Sequence, residues 1–259
     1  MLRHATRDDT FATPLVALIA AGWLLLAIWS ASPYAPYLNH EILEHLPFTL
    51  SLDYALLMLI FIAGWALMIV AMMLPGSLSQ VAQVRRRLGR RPGSARPVVL
   101  FVGGYVALWT VLGGLAHFGD LFVHEATHRF SWLGANTWLI AAATLAVAGL
   151  YQFTPLKRAC RQKCGLPAPE LNRRTPGGAS WARSLWLGVR HGVYCAGTCW
   201  PLMLLMFAFA CGNVLWMLGL GAVMAAEKNA SWGRRMTAPL GILLLGAAVA
   251  VTLVAPFVA

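Results

Sequence analysis

Residues 190 to 206 read R-H-G-V-Y-C-A-G-T-C-W-P-L-M-L-L-M, which sets His191, Cys195, Cys199 and Met203 four residues apart in an apolar stretch. At about 100° per residue on a helix, the four fall within about 120° of one another, so imidazole, thiol and thioether groups share one face. Soft sulfur donors mixed with imidazole suit Cu(I) first and Zn(II) next. The competing reading is packing, because Cys and Met fill gaps between buried helices in any protein. A second group, W-A-L-M-I-V-A-M-M-L-P at 65 to 75, offers Met68, Met72 and Met73 just before a proline that stops the helix. If the two segments cross a membrane in opposite directions, Met72 and His191 lie at similar depth, and a site shared between them is geometrically open. Packing alone also accounts for this methionine stripe.

Two other segments carry ligand-type residues. In A-H-F-G-D-L-F-V-H-E-A-T-H, His117, His124 and His128 are seven and four residues apart, which on one helix places them in a single stripe with Asp120 beside them. Positions 124 to 128 also match H-E-x-x-H, in which two histidines one turn apart hold zinc and the glutamate is the general base of a protease. No partner motif supplies a third ligand. Whether the chain is an enzyme is left open: the reading favoured over catalysis is an outer histidine cluster that collects metal, with a zinc-dependent membrane protease, or a water-facing helix end without ligand role, as alternatives. The last segment, G-L-Y-Q-F-T-P-L-K-R-A-C-R-Q-K-C at 149 to 164, places Cys160 and Cys164 one helical turn apart among Lys and Arg residues that favour the thiolate.

The elements that must position these groups follow from composition. Of 259 residues, 59% are hydrophobic and only 11% are charged, too few to cover a soluble surface. An all-α, polytopic transmembrane bundle is expected, forming one domain over residues 1–259. Apolar runs at roughly 14–31, 54–74, 97–117, 136–153, 185–209, 213–226 and 239–257 give seven spans. The alternative is six, because the sixth run is short and the turn at Cys211-Gly212-Asn213 would let two helices form a shallow hairpin.

The net charge of +11 sits in blocks between the spans rather than in a nucleic-acid-binding pattern. Arg85, Arg86, Arg87, Arg90, Arg91 and Arg96 separate spans two and three. Lys157, Arg158, Arg161, Lys163, Arg173, Arg174 and Arg183 separate four and five, whereas the opposite loops hold only Arg129. Positive charge marks the cytoplasmic side, so the N-terminus is inside and the C-terminus outside, in a bacterial inner membrane. His40, His45, His117, His124 and His128 then gather on the outer side with Glu41, Glu44, Asp53, Asp120 and Glu125, a face that attracts cations. Glu227 and Lys228 close span six and are expected to snorkel to the interface. None of the five cysteines falls in the long outer loops, which favours reduced thiols over a disulfide framework.

Together the segments at 65 to 75, 149 to 160 and 190 to 203, with Asn213 to Trp216 and Glu227-Lys228, resemble an uncharacterised family of bacterial and archaeal proteins described as predicted metal-binding integral membrane proteins. The resemblance runs from span two through span six and implies metal binding without an established reaction. Thr198-Cys199 stands where that family usually has adjacent cysteines. The expected function is to bind a soft metal, copper or alternatively zinc, within the bundle and to transport it or hand it across the membrane. A membrane thiol-redox protein and a non-catalytic helical subunit of a larger complex are the alternatives. Expected partners are the metal ion, membrane lipids and a metallochaperone or membrane-complex protein, with no nucleic acid.

Overall fold

The computed structural model describes residues 9–33, 35, 52–88, 95–165, 181–208 and 213–255, which are helical with no strand among them. The helices are α1 (Asp9–Ser30), α2 (Leu52–Met73), α3 (Leu78–Leu88), α4 (Arg96–Arg129), α5 (Ser131–Ala135), α6 (Trp138–Tyr151), α7 (Pro155–Gly165), α8 (Trp181–Ala208), α9 (Val214–Asn229) and α10 (Gly233–Val254), with a 3₁₀ turn at Pro75–Ser77 after α2. All seven apolar runs are therefore helical where they are described. Four helices are long and apolar enough to cross a membrane, or five if α6 and α7, bent by 63°, form one span.

Three of the seven runs lie in helices outside these four: α8, at 28 residues, has the length but is not among those apolar enough, and α6 and α9 are short. At 14 and 16 residues, α6 and α9 reach roughly 21 and 24 Å, short of a hydrocarbon core about 30 Å thick. By contrast α4 runs 34 residues, about 50 Å, well past the end expected at residue 117. His40, His45, Glu41, Glu44 and the turn residues Cys211 and Gly212 lie outside the described residues.

Glycine decides how the central helices meet. The most extensive helix pair is α4 with α8. A Cβ on Gly188 would sit 2.0 Å from the Phe101 carbonyl oxygen, and one on Gly104 would sit 2.3 Å from that of Leu185. The two backbones therefore touch, a close approach that only small residues permit. A similar contact joins α6 and α10, where a Cβ on Gly149 would lie 3.1 Å from the Gly241 oxygen. Between α2 and α4, Trp65 lies over Gly113 and donates its indole N–H to the Trp109 carbonyl at 2.8 Å.

The core is built where these helices converge, from Trp65, Ile69, Met72, Tyr105, Trp109, Leu202, Met206 and Met217 among others. Outside it, Leu24, Leu59, Leu115, Phe122, Leu215 and Leu243 are exposed. A rim of large apolar side chains on that scale is unusual for a surface facing water.

Candidate metal centre

Three local features bring the sulfur groups together. Pro75 cannot donate a helical hydrogen bond, so α2 ends at Met73 and the chain turns through Pro75–Ser77 beneath α8 and α9. Pro201 lies inside α8 and leaves the Gly197 carbonyl without its helical donor. That oxygen instead accepts from the Tyr151 hydroxyl at 2.5 Å, which pins α6 to α8. The same Gly197 admits α7, because a Cβ there would meet the Cys160 sulfur at 2.6 Å.

Cys195, Cys199 and His191 all face the interior of the bundle, with Cys195 fully buried. The Cys199 thiol lies 4.0 Å from the Met73 sulfur and donates to the Cys195 carbonyl at 3.1 Å. Two sulfurs at that spacing both reach an ion at about 2.3 Å, with an angle of about 120° between them. One turn earlier, His191 Nδ1 is 3.9 Å from the Cys164 sulfur, and its Nε2 is 3.0 Å from the Ser77 hydroxyl. For an imidazole and a thiol this spacing permits joint ligation at an angle of about 130°. Cys195 lies between the two pairs. Its sulfur is 2.7 Å from the Lys228 ammonium and 3.0 Å from the Tyr105 hydroxyl.

The site is thus two donor pairs flanking a third thiol. Among the described residues, no three His, Cys, Asp or Glu side chains converge closely enough to hold one ion. Soft donors dominate, and Cu(I), a filled-shell ion content with two or three sulfur ligands, is the first-row metal they match best. Cys160, Cys164, Cys195 and Cys199 are all free thiols.

The structure redistributes the expected ligands. Met73, rather than Met72, meets a cysteine. Met72 packs toward α9, where a Cβ on Gly221 would lie 3.5 Å from its Cγ. Met68 and Met203 are buried members of the core. Cys164 is buried against His191, whereas Cys160 turns to Gly197. Thr198 donates its hydroxyl back to the Cys195 carbonyl at 2.5 Å, the usual habit of a helical threonine.

Glu227 and Lys228 are not an interfacial pair. Glu227 is buried and holds the buried Lys157 at 2.8 and 3.0 Å, and Gln152 also accepts from that ammonium. Lys228 turns inward to Cys195.

The outer histidines divide in two. His117 is buried beside Phe61, with ring centroids 4.9 Å apart. His124 and His128 stand together farther along α4, their Nε2 atoms 3.2 Å apart. That spacing fits two nitrogens on one ion at an angle of about 100°. Glu125 is engaged by Arg129 at 2.7 Å rather than directed to this pair.

A buried set of thiol, thioether and imidazole donors has the chemistry that a soft metal prefers. A family model described as PpoB2, copper chaperone, matches residues 62–251, and the chain belongs to that family. The matched segment contains every residue of the inner site. No curated protein and no solved structure matches the chain.

Proposed function

We propose that this copper-family protein spans the bacterial inner membrane seven times with its N-terminus in the cytoplasm, the short α6 and α9 crossing where the bilayer thins around them, holds Cu(I) on Cys195, Cys199 and Met73, and passes it across the bilayer. The observation that carries the reading is the meeting of Cys199 and Met73, from distant parts of the chain, beside Cys195 in a fully buried space. The exposed apolar rim and the four long apolar helices support residence in a membrane.

With Arg96 at the inner boundary, the first roughly 20 residues of α4 fill the bilayer and its last turns project outside. His124 and His128 ride on that projection and gather the ion. Cys164 and His191, one turn from Cys195, form the next station toward the cytoplasmic face, while Cys160, against Gly197, lies level with the main site. Within the inner site, neighbouring donors allow the ion to change ligands one at a time in a medium that solvates charge poorly. A metallochaperone or a membrane-complex protein completes the transfer at one face.

Elemental analysis after purification in mild detergent under reducing conditions tests the proposal. The protein should carry copper, and competition with a Cu(I) chelator should show the high-affinity site lost in Cys195→Ser plus Cys199→Ser, by more than about a hundredfold. Wild-type protein that binds no copper, and instead traps mixed disulfides, would move the reading to thiol redox exchange.

A further inference from the structure

We propose that Lys228 is the specificity-determining counter-charge of the copper site, selecting a monovalent ion held by two thiolates over a divalent one. The inference rests on the copper-binding reading of Cys195 and Cys199. Three observations carry it.

Lys228 directs its ammonium 2.7 Å from the sulfur of fully buried Cys195. The path is prepared by Gly76 in the turn after α2. A Cβ there would press on the Lys228 Cδ at 3.0 Å, so a larger residue crowds the stem that carries the ammonium inward. The neighbouring charges are already matched: Glu227 is taken by Lys157, both buried, and so does not neutralise the lysine beside it.

Charge counting gives the consequence. Cu(I) on two thiolates carries one net negative charge, which the ammonium balances. Zn(II) on the same thiolates is neutral, and adding the ammonium leaves a net positive charge inside the bundle. In a poorly solvating interior the neutral assembly is favoured. Tyr105, whose hydroxyl is 3.0 Å from the same sulfur, supplies a neutral hydrogen bond that is the same for either ion. Selection therefore falls to the lysine.

The test compares purified full-length wild type with Lys228→Gln, which keeps a donor near the sulfur without the charge, and with Lys228→Arg, which keeps the charge. Cu(I) affinity is measured by chelator competition and Zn(II) affinity by a second competition, with thermal unfolding as the check on folding. Lys228→Gln should bind Cu(I) roughly a hundredfold more weakly while Zn(II) affinity stays level or rises, and Lys228→Arg should restore most of the preference. Equal losses for both metals in a folded Lys228→Gln protein would mean that the lysine only shapes the site. Unchanged Cu(I) affinity would overturn the proposal outright. If Lys228→Gln does not fold, Lys228→Arg decides: a Cu(I) to Zn(II) ratio that collapses with the charge retained refutes the counter-charge. A wild type that binds no Cu(I) would be a failure of the copper reading itself, visible before any variant is made.

Discussion

The inner sulfur site and the outer histidine pair are both candidate metal positions on long helices, yet they are built in opposite ways. His124 and His128 belong to one helix, four residues apart, and meet because any α-helix brings such positions together. Cys195, Cys199, Met73, Cys164 and His191 come from α2, α7 and α8 and meet only because those helices pack. The outer pair is a local device that survives almost any change elsewhere. The inner site is a tertiary device, sealed from water, and every contact that sets the helix spacing is part of its geometry. The two donor sets also suit different ions: exposed imidazole suits Cu(II) or Zn(II), and buried sulfur suits Cu(I).

The largest expected separation of the two comes from Gly188→Ala. The new methyl would be forced against the Phe101 carbonyl, 2.0 Å away, so α4 and α8 must part. Destabilisation on the order of 1–3 kcal/mol is expected, with Cu(I) affinity falling because Tyr105 and His191 leave register. Thermal unfolding and chelator competition measure the two effects, while Cu(II) bound at His124 and His128 should be unchanged in its electron paramagnetic resonance spectrum. A simultaneous loss of that outer signal would mean that the two regions are not independent.

His124→Ala makes the smaller, converse cut. The nitrogen-ligated Cu(II) signal should vanish, with Cu(I) affinity and thermal stability at wild-type values. A fall in Cu(I) affinity measured at equilibrium would break the division between the sites.

Glu125→Gln should do least of all. Its carboxylate and Arg129 form an i,i+4 pair on the exposed end of α4, an interaction largely screened by water. Metal binding at both regions should persist. A proteolytic activity present in wild type and lost in this variant, with zinc retained, would instead revive the H-E-x-x-H reading.

Much of the architecture was legible in residue order. The long apolar runs pointed to helices, and they are helical wherever they are described. The four-residue spacing of His191, Cys195 and Cys199 fixed a common face as soon as the segment was helical, and the same rule joined His124 to His128. The proline at 75 placed the end of α2 within a residue or two.

What sequence periodicity left open was the meeting of faces. Met72 and Met73 are adjacent and chemically identical, and only the rotation of α2 against α8 turns Met73 to Cys199 while Met72 packs toward Gly221. Cys160 and Cys164 likewise part company, one against Gly197 and the other against His191. Lys228 and Glu227 look like an interfacial pair in the sequence. Their opposite assignments, to Cys195 and Lys157, follow from the position of α9 between α2 and the elements beside it. Local chemistry thus set which residues are able to bind a soft metal. Tertiary packing decided which of them meet, because helix rotation and depth are fixed by contacts such as Gly104 with Leu185 and Gly188 with Phe101, which have no periodic signature in the chain.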